Sequence, residues 1–408
     1  MICKSAKQFL FLDTDSISFD GYGSYPEYMQ QSHTFKNIGR IGIDMYLLFQ
    51  HHTTHEILRN VNNDLDLFTI TGTGWHFLKY LGPAVVVVGP DTRSERTLNQ
   101  VMAGPTYQGL FPKVATLPPS VQHCIWMIPV PIIYPRLHSA QQIANTVTQG
   151  KKAVTGTFNM LGKMTSSVAG IVGAKEVVND GFASVKKAVG KSGLMSGMLN
   201  PFGELDVLDE LRDMWTHESK DLERTYIIRT LQGISHNKSL RITFLSGSVN
   251  CAGAGLVHDP SHPSDHKTMY QLITSSIVNA PPSAMVLRLL NTNPKNAIFL
   301  PPNGKRSVYS STTPPPATDT KEDMMEIFVA DPNGSAREMK RLMGRRNYVA
   351  MVAYDPEVVQ GSFGSVTPGK GSGRLSLAAD FLVQSSDGQY GGTVKYGPVV
   401  IPSLEYGR

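Results

Sequence analysis

The chain has 408 residues, 41% hydrophobic and 17% charged, with a formal charge of +5, which is enough length for two or three domain-sized units with a full core. No apolar run approaches the roughly 18 residues that span a bilayer, and Cys3, Cys124 and Cys251 form no CxxC pair, which argues against a disulfide framework or a thiolate zinc site. The first residues, MICKSAKQFLFLDTDS, lack a long apolar h-region and a small-residue cleavage site, so a cytoplasmic location is expected.

In chain order, short β-branched runs predict strands at Ala84 to Val88, Ile125 to Ile128, Ile242 to Leu245, Gln271 to Ile273, Tyr348 to Tyr354, Leu375 to Val383 and Thr393 to Ile401. Between them, Leu208, Leu211, Trp215, Leu222, Tyr226 and Leu231 recur at mostly helical spacing and predict a helix over Asp206 to Ile234. Mixed strands and helices point to a layered α/β or α+β domain. No GxGxxG or GxxxxGK[ST] follows any strand, which disfavours a doubly wound nucleotide fold.

Two stretches depart from this pattern. Val154, Phe158, Leu161, Val168, Val172, Val178, Phe182, Val185 and Val189 predict amphipathic helices between Ala140 and Gly203. From Lys151 to Gly203 seven lysines face Glu176 and Asp180, a local charge of 7 − 2 = +5. The segment Lys151 to Lys191 is therefore read either as helices packed on the domain or as a basic face for an anionic membrane surface. Without interleaved aromatics and arginines it gives no specific nucleic-acid signal. Pro301 to Asp323 has almost no apolar content after Val308 and reads as a disordered linker. The expected division is 1–139, 140–203, 204–300, 301–323 and 324–408.

Several blocks carry a resemblance. They are FDGYGSYPEYMQQSHTF from Phe19, YLLFQHHTT from Tyr46, GWHFLKYLGPAVVVVGPDTRSERT from Gly74, VPIIYPRL from Val130, LRITFLSGSVNCAGAGLVHDP from Leu240, MYQLITSSIVNAPP from Met269 and MGRRNYVAMVAYDPE from Met343. The lysine-rich stretch from GKKAVTG to NPFGE falls between them. In this order they resemble the C-terminal part of fungal PhoD-like phosphatases.

The resemblance implies an α+β (αββα) calcineurin-like metallophosphoesterase sandwich: two sheets face to face, helices outside, and divalent metal ions held on loops at strand ends. The domain is expected to be N-terminally truncated and to carry a helical insertion at 140–203. Two-metal hydrolysis of a phosphate ester needs several carboxylates and neutral imidazoles around the ions. Where the family's DDHD motif is expected, the sequence has Asp13, Thr14, Asp15 and Ser16, or in an ungapped register Thr14, Asp15, Ser16 and Ile17. The family's first carboxylate motifs lie upstream of that point, and a gene start further upstream would supply them. Where a GDVH-type loop is expected stand Gly247, Ser248, Val249 and Asn250.

Ser248 thus replaces a carboxylate and Asn250 an imidazole, leaving Asp13, Asp15 and Asn250 as residual metal candidates. The resemblance therefore implies a phosphatase domain with an impaired metal centre, binding divalent ions weakly. The alternatives are an active phosphomonoesterase or phosphodiesterase completed by an upstream portion, and a membrane-surface or scaffold protein acting through the basic segment. Arg93, Arg96 and Tyr25 are the phosphate-binding candidates, since a planar guanidinium grips phosphate oxygens in pairs. His51, His52 and His55 read as helix-end residues, and His258, His262 and His266 as part of a Pro-rich turn.

Overall fold

The computed structural model describes residues 69–136 apart from 72–73, 93–94 and 97–98, and residues 214–274 apart from 248. It also describes 277, 281–282, 284–291, 297–300, 308–310, 320–363, 373–385 and 392–405, with scattered positions from 32 to 57. The expected basic insertion lies outside these residues.

The elements run β1 (Thr69–Thr71), β2 (Gly74–Tyr80), β3 (Val85–Pro90), α1 (Gly104–Ala115), β4 (His123–Met127), α2 (Asp221–Lys238), β5 (Arg241–Ser246), β6 (Ala252–His258) and β7 (Met269–Ile273). They continue with α3 (Ala284–Asn291), β8 (Ala297–Leu300), β9 (Val308–Ser310), β10 (Thr320–Met324), β11 (Leu342–Met343), β12 (Asn347–Tyr354), α4 (Pro356–Phe363), β13 (Ser376–Gln384) and β14 (Thr393–Ile401).

Two sheets result. The large one has the order β1-β2-β3-β4-β5-β7-β6-β10-β8-β9, with β11 on the end of β6, and the small one is β12-β13-β14. Strands β3, β4, β5 and β7 run parallel to one another, and the flanking pairs are antiparallel. The sequence explains the centre: VVVVGP of β3 and RITFLS of β5 are buried at every position, as parallel strands covered on both faces require. By contrast β12 alternates buried and exposed over its first four residues, the signature of a strand with one solvated face.

One face of the large sheet takes the helices. Leu78, Val86, Val88, Trp126, Ile242 and Phe244 pack there against Tyr107, Leu110, Phe111 and Val114 of α1 and Ile227, Ile228, Leu231 and Ile234 of α2. The alternate residues Phe77, Val85, Val87, Ile125, Met127, Leu245 and Leu272 join Val349, Leu377, Ala379, Phe381, Val383, Tyr396 and Ile401 of the small sheet in one core. The two sheets therefore lie face to face with the helices α1 and α2 outside.

Two sequence expectations change. The helix expected from Asp206 begins at Asp221, after a 3-10 turn at Glu218–Lys220 capped by the His217 side chain, which accepts from the Ser219 N–H; residues 206–213 lie outside the described set. The expected linker 301–323 contains β9 and most of β10. Its polar run TKEDM forms a strand because hydrogen bonds satisfy its buried members: Arg224 grips Glu322 with both terminal nitrogens, and Arg229 donates to Thr320. After β5, the strand expected at Ile242 to Leu245 leads into a Gly-rich stretch, Ser246 to Gly255, whose second half is strand, since β6 starts at Ala252. Its small residues allow close packing, and a Cβ on Gly255 would sit 2.8 Å from the Ile133 side chain.

Candidate functional site

Parallel strands put their carboxyl ends at one edge, where backbone leaves the sheet and ligands commonly bind. In this chain the loops after β3, β4, β5 and β7 all emerge there. Gly247, Val249 and Asn250 after β5 and Asp91 and Thr92 after β3 thus share an edge, two strand spacings or about 10 Å apart.

The loop exits are tied together. Ile128 N–H donates to Leu245 O, Gly247 N–H to Pro129 O, and Thr274 N–H to Ser246 O. Gln271 of β7 is fully buried; its Oε1 accepts from the amides of Ile132 and Ile133, and its Nε2 donates to Ser246 Oγ at 3.0 Å. Thr274 Oγ1 donates to Asn347 Oδ1 at 3.0 Å, and Asn347 Nδ2 to Arg345 O at 2.7 Å. The segment Gly344 to Asn347, leading into β12, is thereby held against the ends of β5 and β7.

Asn250 occupies the left-handed region, φ 50°, where asparagine is one of few side chains tolerated. Its Oδ1 is buried and has no hydrogen-bond partner, an uncommon condition for a polar atom in a native fold. Strand β11 runs antiparallel to β6 with Leu342 opposite Gly253 and Met343 opposite Ala252. Helix α3 closes the far side: Asn291 Oδ1 accepts from the amides of Arg341 and Leu342. A Cβ on Gly344 would lie 2.3 Å from Cδ1 of Leu287, so a larger residue there would have to move that side chain.

Of the residues singled out in the sequence, Asp13, Asp15, Tyr25, Arg93, Ser248, His51 and His55 lie outside the described residues. Arg96 is 4% exposed and donates Nη1 to Thr92 O at 3.1 Å, so it braces its own loop. Asp91 and Thr92 are buried at the end of β3. The three histidines of the Pro-rich turn each face a carboxylate: His258 Nε2 lies 3.0 Å from Asp323, His262 Nδ1 3.6 Å from Asp259, and His266 Nδ1 4.0 Å from Asp265.

Burial and two partners account for the cysteines. Cys124 and Cys251 are free and buried. Burial pushes the Cys251 thiol up to about 12 against the hydrogen bond with Tyr134, and the Cys124 thiol is raised by burial too. Neither is poised as a nucleophile. His76, opposite the last residue of β3, is buried with both ring nitrogens lacking hydrogen-bond partners; burial and then the charge of Lys113 lower it to about 4.

The resemblance implies divalent metal ions, so the donors were weighed against them. Among the described residues no group of three His, Cys, Asp or Glu gathers as metal ligands. The edge offers the Asp91 carboxylate and the Asn250 amide on strands two apart, and this donor set does not fit a two-ion centre, whose mutual repulsion needs several carboxylates. What the described edge offers a ligand is the Asn250 amide, which can present either its oxygen or its NH2.

The chain is similar to known proteins in three comparisons. The profile of a family described as "PhoD related phosphatase" (PhoD_2) matches residues 6–408. An uncharacterized protein of Saccharomyces cerevisiae, YGR266W, is 24% identical over 368 residues, covering 81% of this chain and 45% of that protein. The chain thus spans about half the length of the curated relative it matches. A solved structure titled "Structure of PhoD" aligns with 93% of this chain and 49% of its own, at 12% identity and a TM-score of 0.42.

Proposed function

The chain belongs to the PhoD-related phosphatase family, and from that premise we propose that it binds a phosphate ester at the carboxyl edge of β3, β4, β5 and β7 but turns it over slowly or not at all. The observation that carries this reading is the Oδ1 of Asn250, buried and without a hydrogen-bond partner among the described residues. A polar atom left in that state costs about 1–3 kcal/mol, a strain that fits a group reserved for a ligand. A phosphate oxygen accepts from the turned amide, and hydrogen bonds to a charged group are the strong ones.

Impaired turnover rests on Ser248 and Asn250, which stand where a GDVH-type loop would offer a carboxylate and an imidazole. A neutral hydroxyl does not offset divalent charge, and loss of one donor lowers metal affinity steeply. Divalent ions, when bound in this family, would supply Lewis-acid activation of water and phosphoryl oxygen. In this chain the residues named here hold and orient the phosphate.

The test pairs calorimetric titration of zinc, manganese and iron with a turnover assay on a generic aryl phosphate. The expected result is weak binding of inorganic phosphate, with hydrolysis no faster than that of a Ser248→Ala variant. Stoichiometric tight binding of two ions together with metal-dependent hydrolysis would overturn the impairment and favour the active-enzyme reading that family membership supports. The basic segment Lys151 to Lys191 remains a separate proposal. Weak, salt-reversible binding to anionic vesicles and none to neutral ones is expected of it, and salt-insensitive binding would remove it.

A further inference from the structure

We propose that the outward face of helices α1 and α2 is the docking surface for the chain's own basic segment, Lys151 to Lys191, which lays its apolar stripe along α2 and turns its lysines to solvent. This stands apart from the phosphate reading of Asn250, which it neither needs nor alters.

A surface helix ordinarily carries charge on the side away from the core, and α2 does not. Leu222, Tyr226, Thr230 and Gly233 recur three or four residues apart and so share one side of α2. Leu222 is 44% and Tyr226 42% exposed, and Gly233 is exposed with open space where a Cβ would stand. The charged residues flanking this stripe are engaged inward. Glu223 accepts from the amides of Val101 and Met102 and from the Tyr107 hydroxyl, and Arg229 donates to Leu300 O, Thr320 and Gln232. Helix α1 continues the surface: Pro105, Gln108, Pro112 and Ala115 are exposed and uncharged, and Tyr226 packs edge-on against Tyr107 and Phe111 at 5.5 and 5.8 Å. A chargeless stripe of this kind suits contact with another apolar surface better than contact with water.

Chain connectivity identifies the occupant. Arg136, the last described residue before the segment, donates Nη2 to Asp221 Oδ1 at 3.1 Å, and Asp221 is the first residue of α2. The chain is described again from Met214 and runs through the His217 cap directly into α2. Both attachments of residues 137–213 therefore stand at the amino end of α2, beside Leu222, and a tether fixed at both ends keeps the segment at high local concentration over this face. Val154, Phe158, Leu161, Val168 and Val172 fall on one helical stripe, with Lys163 on the opposite side. As a helix, Val154 to Val172 would be about 27 Å long, which matches α2 at about 1.5 Å per residue. Apolar residues then meet Leu222 and Tyr226 while the lysines stay in water, so docking is compatible with attraction to an anionic surface.

The experiment is disulfide trapping in the full 408-residue chain carrying Cys3→Ser; Cys124 and Cys251 are buried and do not compete. Leu222→Cys is paired in turn with Val154→Cys, Phe158→Cys, Leu161→Cys, Val168→Cys and Val172→Cys, and with Lys163→Cys as control, since a bridge needs Cα atoms within about 7 Å. At least one stripe position should form an intramolecular bridge at least about tenfold faster than Lys163→Cys. A second measurement needs no bridge. Leu222→Asp suits the first turn of a helix but not an apolar contact, and should speed amide exchange across 151–191 by at least about fivefold while α2 stays protected. Leu222→Met should change neither.

Equal trapping of stripe and control positions overturns the inference, as does exchange in 151–191 that ignores Leu222→Asp while α2 stays protected. Bridges formed only between chains overturn it in favour of a second copy on the same face. Should Leu222→Asp unfold α2, the trapping rates alone decide.

Discussion

The two edges of the same parallel strands are built to opposite rules. At the amino edge, Arg241 opens β5 almost fully buried and donates to four backbone carbonyls: Pro402, Asp265, Thr268 and Ser264. Gln122 beside it donates to Gly373 O and accepts from the Leu375 amide, and His123 Nε2 meets Leu375 O at 2.7 Å. These contacts clamp the segments flanking β13 and β14 onto the large sheet. At the carboxyl edge, the Asn250 Oδ1 is buried with no partner, on backbone in the left-handed region. His123 Nδ1 apart, the polar groups named at the amino edge are partnered and stabilise, whereas an unpartnered group at the strand ends is where a ligand can complete the hydrogen bonding.

The largest break in that contrast is expected at the amino edge. Arg241→Met removes five hydrogen-bond donors and leaves four carbonyls facing an apolar chain. Each buried group so exposed costs about 1 kcal/mol or more, so the loss of stability should reach about 4 kcal/mol. Urea unfolding at neutral pH measures it. A loss below about 1 kcal/mol would mean that water replaces the guanidinium and that the edge is not sealed. A loss of about 3 kcal/mol is expected for Arg224→Met, which leaves the buried Glu322 carboxylate to the longer contact with Arg136 at 3.9 Å.

Acid sharpens the comparison, because each edge carries one buried histidine. Burial first, with Lys113 adding, lowers His76 to about 4; burial, opposed by the Leu375 carbonyl and aided by Arg241, lowers His123 to about 4. Both values lie below the unfolded value of 6.5, so the unfolded chain takes up protons first as pH falls. Their stabilising neutrality is complete above pH 6.5 and is lost progressively between pH 6.5 and about 4. At pH 5 each contributes a loss of about 2 kcal/mol. His76→Leu should flatten its share of the acid limb in melts at pH 7 and pH 5. An acid limb unchanged by this substitution would show that His76 titrates as an exposed imidazole does.

The architecture was legible wherever burial is total or strictly alternating. VVVV of β3 and the run from Thr393 to Ile401 read as strands because their periodicity is set by contact with two layers or one. Helix α1 was missed because GPTYQGLFPKVA contains two glycines and two prolines, which propensity penalises. Tertiary contacts override that penalty: Glu95 accepts from the Ala103 amide and the Thr106 hydroxyl, and Glu223 accepts from the amides of Val101 and Met102. Strand β10 was hidden for a related reason, since the partners of Glu322 and Thr320 lie about 90–100 residues upstream. At the site, Asn250 was visible through its motif position. That its Oδ1 is buried without a partner depends on the fold around it, and no spacing in the sequence encodes that.

The smallest effect on stability should come from Asn250 itself, and for that reason it is the cleanest probe of the carboxyl edge. At φ 50° glycine is as comfortable as asparagine, so Asn250→Gly should change stability by no more than about 0.5 kcal/mol. It also removes the unpartnered oxygen, so a small gain in stability would agree with an atom kept against folding. Asn250→Val adds a β-branched side chain where the left-handed backbone resists it and should cost about 1–2 kcal/mol. Binding should order the variants differently. Both lack the amide, so both should lose inorganic phosphate affinity by about tenfold, one charge-assisted hydrogen bond's worth. Calorimetry on the two variants separates the roles: affinity that tracks stability, lost in the valine variant and kept in the glycine variant, would show that Asn250 only shapes the turn. Equal loss in both, with the glycine variant fully folded, places the amide in contact with phosphate.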